Sequence, residues 1–156
     1  MNKIQITAFD LAQRFIGIKE VNGPLSNPAI LAMLKLDNEW PEDDSTAWCS
    51  SYVSYIAWLL RLPRSKSLRA RSWLAVGRPI ELKDAEAGFD VVVLKQKSKD
   101  AGADIIEAPG HVGFFAGTET VNSYPRINVL GGNQSNSVSI VSYPTSLLLG
   151  IRRLYE

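Results

Sequence analysis

The spacing of apolar residues changes once along this chain, and that change limits the fold more than any other feature. Up to about residue 60 they recur at helical spacing; after Gly88 they fall in short runs rich in β-branched residues and phenylalanine. In the first part Thr7 reads as an N-cap with Asp10 three residues on, and Ala8, Leu11, Ala12, Phe15 and Ile16 give the helix one apolar face. Gly17 weakens its end, Val21 to Pro28 reads as loop, and a short helix is expected over Ala29 to Leu36. The acidic stretch Asp37 to Ser45 reads as a second loop, ending in an N-cap at Asp44 or Ser45. The helix it starts runs to about Leu60. Cys49, Val53, Ile56 and Leu60 form one buried stripe on it, and Pro63 marks the stop.

In the second part Asp90 to Leu94 predicts a buried strand and His111 to Ala116 another, with the polar stretch Lys95 to Pro109 between them. Val129-Leu130 leads into Gly131-Gly132, Val138 to Ser142 predicts a further strand, and Leu147 to Tyr155 is expected to close the sheet at its edge. Helices followed by antiparallel strands make an α+β layout.

Composition narrows the functions. The chain has 156 residues, 46% hydrophobic and 21% charged, the make-up of one soluble globular domain and not of a disordered or collagen-like chain. Seventeen Lys and Arg face 16 Asp and Glu, a net charge of +1, so there is no global field to hold a polyanion and no nucleic-acid partner is expected. One cysteine and one histidine cannot make a disulfide or a structural zinc site. No apolar run reaches membrane length, so no membrane insertion is expected. Met1 to Asp10 lacks a basic segment followed by an apolar one, so no signal peptide is expected and the chain would start in the cytoplasm. Arg61, Arg64, Lys66, Arg69 and Arg71 form a local basic cluster, read either as a solvated loop or as a surface for an anionic partner.

Three residues are candidates for chemistry. Cys49 stands in the first turn of its helix, where the positive end of the helix dipole favours the thiolate; the alternative is a cysteine that only packs. His111 opens a strand on which alternation puts His111, Gly113 and Phe115 on one face and Val112 and Phe114 on the other; the alternative is a strand-end histidine bonded to solvent or backbone. A Cys–His pair needs a third group to orient the imidazole, and Asn133 after Gly131-Gly132 is a candidate from a neighbouring strand, unless it serves only as a turn residue.

The segment Ala47-Trp48-Cys49-Ser50-Ser51-Tyr52-Val53 resembles the nucleophile helix of papain-like peptidoglycan hydrolases, the CHAP group and its NlpC-type relatives. More narrowly, the chain resembles a compact single-domain phage and prophage endolysin family. The resemblance rests on eight stretches in order. They are Gly17 to Gly23, Asn27 to Ile30, the Trp48-Cys49 segment, Ala70-Arg71-Ser72-Trp73-Leu74, Gly88 to Val93, Gly110 to Phe115, Val129 to Gln134 and Leu149 to Arg153. It implies a papain-like fold with N-terminal helices and the nucleophile helix packed on an antiparallel sheet, all in one catalytic domain, 1–156, with no separate wall-binding domain.

Cys49 would be the nucleophile, His111 the general base and then acid, and Asn133 the orienter of His111. Glu20 stands where the family keeps an acidic residue near the cleft, Trp48 would pack beside the nucleophile, and Gln134 would touch substrate or stabilise its loop. Many CHAP enzymes carry an acid two positions before the asparagine; here that position is Gly131. Asp43 and Asp44 are too few for the calcium loop of some CHAP domains, so no metal or other cofactor is implied.

The implied activity is a cysteine hydrolase of peptidoglycan, an N-acetylmuramoyl-L-alanine amidase or an endopeptidase, that lyses the host cell. It would act as a monomer in the periplasm after a holin opens the membrane. Three other readings stay open. They are an interbacterial toxin amidase of the same fold, a lysozyme-like glycosidase using Glu20, and a non-catalytic wall-binding module in which Cys49 is structural.

Overall fold

The computed structural model describes residues 3–37, 47–96, 102–106 and 108–155. Helix α1 (Ala8–Gln13) starts at a capping box in which the Thr7 hydroxyl accepts from the Asp10 N–H and the Asp10 carboxylate accepts from Thr7. Helix α2 (Pro28–Lys35) has Asn27 as N-cap and Pro28 at its first position. Helix α3 (Cys49–Leu59) holds Cys49, Val53 and Ile56 of the expected stripe in the core, while Leu60, its fourth member, is the C-cap and only half-buried. Ile16, expected on the buried face of the first helix, is 48% exposed, because α1 ends at Gln13 and the following turns rotate it outward. The expected N-cap at Asp44 or Ser45, like Asp43, lies outside the described residues; α3 starts at Cys49 after Trp48, which supplies no side-chain cap.

Six antiparallel strands follow: β1 (Arg78–Ile80), β2 (Asp90–Lys95), β3 (Gly110–Val121), β4 (Tyr124–Gln134), β5 (Ser137–Pro144) and β6 (Leu148–Arg153). They stand in the order β1-β6-β2-β3-β4-β5. The last strand is therefore not at the edge as expected: the short β1 pairs with it and takes the edge. The strand expected over His111 to Ala116 runs on to Val121 and returns as β4. Asn122 and Ser123 make the turn, both in the left-handed region that a two-residue hairpin of matching twist requires.

The sheet is buried on both faces, which explains the unbroken run Val91-Val92-Val93. Val91, Val93, Val112, Phe114 and Leu130 pack with the three helices. Val92, Leu94, Phe115, Ile127, Val129 and Ile151 form a second cluster under Ile80, Leu82, Tyr143 and Leu147. The segment after α1 lies along β5, with the Gly17 N–H on the Val138 carbonyl, the Val138 N–H on the Ile18 carbonyl and the Glu20 N–H on the Asn136 carbonyl. That strip carries Glu20 to the end of the sheet where α3 begins.

The basic cluster is not one surface. Arg71 is fully buried, and Arg64 pairs with Asp37. Among the described residues no helix is long and apolar enough to cross a membrane.

Candidate active site

Cys49 is the first residue of α3 and 6% exposed. The turn is seated from two sides. The Ser50 hydroxyl donates to the Ser67 carbonyl at 2.5 Å and accepts the Trp73 indole N–H at 2.8 Å. Trp48, fully buried, lies against Gly132, where a β-carbon would come within 2.6 Å of the indole, so only glycine admits the ring.

The backbone N–H groups of Val112, Ser50 and Cys49 act to lower the pKa of the thiol. Burial nonetheless raises the thiol above its ordinary range. The lowering expected from the helix end is outweighed by the loss of water.

His111, the second residue of β3, is 7% exposed and pairs across the ladder with Leu94. Its Nε2 lies 2.9 Å from Oε1 of Gln134. The amide of Gln134 is oriented by its surroundings. Its Nε2 donates to the carbonyls of Ser139 at 2.6 Å and Val129 at 3.2 Å, and its Oε1 accepts from the Tyr143 hydroxyl at 3.0 Å. Carbonyls only accept, so the amide nitrogen must face them and the amide oxygen must face the imidazole. The proton of the imidazole therefore sits on Nε2, and Nδ1 is left as the basic nitrogen. Burial holds the imidazole below its ordinary value, with the Gln134 bond acting the other way. The pair rests as neutral thiol and neutral imidazole at neutral pH.

The Tyr143 ring lies 5.6 Å from the His111 ring, and burial pushes its hydroxyl up to about 12. Among the described residues the thiol and the imidazole make no hydrogen bond to each other; the imidazole and the Tyr143 hydroxyl share the Gln134 amide oxygen.

Gln134, not Asn133, is the polar partner of the imidazole. Asn133 has φ of +57° in an irregular stretch where the β4–β5 register shifts between Gly131 and Gln134. Side chains alternate faces along a strand, so such a bulge exchanges which of two neighbours faces His111. Asn133 stays half-buried at a cavity of about 340 Å³ beside the imidazole, with Lys95, Gln96, Gln134, Ser135, Tyr143 and Leu147 in its wall. Gly131, the position of the missing acid, is filled from elsewhere: a β-carbon there would sit 3.0 Å from His111 Nε2 and 2.9 Å from Gln134 Oε1. Glu20 and Trp48 bind each other, and the buried Trp48 offers no surface to a substrate. Tyr143 is a further polar neighbour of the imidazole that nothing in the local sequence singles out. Among the described residues no group of three or more His, Cys, Asp or Glu is placed to hold a metal ion.

A helix N-terminus carrying a cysteine against an antiparallel sheet that carries a histidine and an amide is the α+β, papain-like layout of NlpC-type proteins. The solved structure of NlpC1 from Trichomonas vaginalis shares the fold, with a TM-score of 0.55 and 16% identity over 96% of this chain. This chain spans 43% of the length of that one. No protein-family model matches the chain. No curated protein matches it.

Proposed function

We propose that this chain is a cysteine hydrolase that cuts an amide bond in the peptide of bacterial peptidoglycan. The observation that carries the proposal is the fixed tautomer of His111. A histidine whose Nε2–H is tied down by an oriented amide, beside a thiol at a helix start, has its Nδ1 free for proton transfer. The fold shared with NlpC1 supports the same reading.

In the reaction His111 takes the proton of Cys49 as the sulfur attacks the amide carbonyl. Backbone N–H groups at the start of α3 stabilise the oxyanion. The C–N bond breaks, His111 gives the proton to the leaving amine, and a thioester remains on Cys49. Water, deprotonated by His111, then releases the acid and restores the thiol.

The proposed biological role is that of an endolysin, which reaches the wall at lysis. The test is clearing of purified Gram-negative peptidoglycan by wild type and by Cys49→Ala, with mass spectrometry of the soluble fragments. Clearing by wild type alone, with new amines in the products, supports the proposal, and the fragment masses name the bond. Equal clearing by both proteins overturns it, and new reducing ends would point to a glycosidase.

A further inference from the structure

The cavity beside His111 has a definite chemistry. Among the described residues its wall holds one lysine or arginine, Lys95, on the β2 end next to Leu94, the ladder partner of His111. The remaining polar residues are neutral: Gln96, Asn133, Gln134, Ser135 and Tyr143, with Leu147 as the apolar element. Among the described residues no carboxylate lines it. Lys95 is half-buried and, among the described residues, has no carboxylate partner. Among the described residues the space sets one ammonium among amide and hydroxyl groups, with volume for a residue or two of an extended peptide.

We infer that this cavity binds a carboxylate-bearing residue of the substrate peptide, with Lys95 as the group that recognises the carboxylate. The inference rests on the proposed peptide hydrolysis and names the charge of the peptide it selects. A neutral donor set with one cation favours an anion over the isosteric amide, because the amide cannot accept a charge-assisted hydrogen bond and brings N–H groups of its own. Partial burial of Lys95 makes the pair stronger than a fully exposed one.

The test separates this inference from the hydrolysis itself. Binding of two muramoyl stem peptides, one with free carboxylates and one with every carboxyl converted to the primary amide, is measured by calorimetry on Cys49→Ala. The same titrations are run with Lys95→Gln added, and with Lys83→Gln added as a control of equal charge change. Lys83 is exposed, pairs with Glu81 and lines a different groove. The expected result is a preference of about tenfold for the carboxylate peptide. That preference should fall to about one with Lys95→Gln and persist with Lys83→Gln. Equal binding of the two peptides, or a preference that survives Lys95→Gln, overturns the inference. Hydrolysis of both peptides by wild type is followed in parallel. Cleavage without a binding preference leaves the hydrolase standing and removes the subsite; a Lys95-dependent preference without cleavage does the reverse.

Discussion

The indole N–H of Trp48 donates to the Glu20 carboxylate across 2.8 Å. The bond joins the residue before the nucleophile to the strip that follows α1, and the same indole packs on Gly132 of β4. Glu20 thus touches the start of α3 through a fully buried ring.

Removing that acceptor leaves a buried donor without a partner, which costs about 1–3 kcal/mol. Glu20→Ala is expected to lose stability in that range in urea titration, with Glu20→Gln, which keeps an acceptor oxygen, losing less. Equal losses in the two variants would show that the charge, and not the bond to Trp48, is what matters.

Gly131 lies beneath the bond between His111 and Gln134. Gly131→Ala is expected to push the two side chains apart and lower kcat/KM at least tenfold, with about 1–3 kcal/mol of stability lost to overpacking. Gly132→Ala meets the rigid edge of Trp48 and Cβ of Tyr52, and should cost more stability than Gly131→Ala. Paired thermal melts and peptide hydrolysis assays distinguish the two sites.

Much of this was legible where a local pattern decides the outcome. The capping box at Thr7 and Asp10, the Cys49, Val53 and Ile56 stripe, and the valines of β2 depend on neighbours in sequence, and the structure carries all three. The orienter of His111 was not legible, because a bulge in β4 decides between Asn133 and Gln134, and a one-residue shift leaves the composition of the strand unchanged. The acidity of Cys49 was misjudged for a related reason: a helix end is visible in sequence, whereas the water excluded around it depends on the whole fold. The short β1 is three residues with a proline, too brief for periodicity to show, and it displaces β6 from the edge.

Both reacting groups are shifted toward their neutral forms, and this sets a pH profile. Protonating His111 removes the base, and its value lies below the ordinary 6.5, so kcat/KM should stay level through neutrality and fall only on the acid side of 6.5. Cys49 lies above 9.0, so alkylation by iodoacetamide should be slow at neutral pH and rise with a midpoint beyond 9.0. Gln134→Glu sets a carboxylate on the imidazole Nε2–H, raises the histidine, and should move the acid limb upward by about one unit. The linked effect on folding has a definite sign. The unfolded chain binds a proton on His111 more readily than the folded one, so stability is present above about 6.5 and is lost as the pH falls below it. An acid limb at or above 6.5 in the wild type would contradict the buried neutral pair.

The turn Ala70–Ala75 holds both halves of the site, and this predicts coupling between two residues that do not touch the substrate. Trp73 donates to Ser50, next to the nucleophile. Arg71 donates twice to the Pro109 carbonyl, at 3.2 and 2.9 Å, and to the Gly102 carbonyl at 2.7 Å, two residues before His111 and at the loop that leads to it. Gly110 leaves room for the arginine stem, since a β-carbon there would lie 3.0 Å from Arg71 Cγ. Lysine cannot span both carbonyls with one ammonium, so Arg71→Lys leaves a buried acceptor unsatisfied. Trp73→Phe removes the N–H and, at a fully buried site, also the second ring of the indole. Each variant is expected to lower kcat about tenfold with KM little changed, because each relaxes the spacing of thiol and imidazole without touching the cavity wall. Once spacing is lost through one residue, loosening the other costs less. The double variant should therefore lose less than the product of the single effects, by at least about 0.5 kcal/mol in the cycle. Strict additivity in kcat, measured on folded protein confirmed by circular dichroism, would mean that the turn supports the helix and the strand separately and does not set the distance between them.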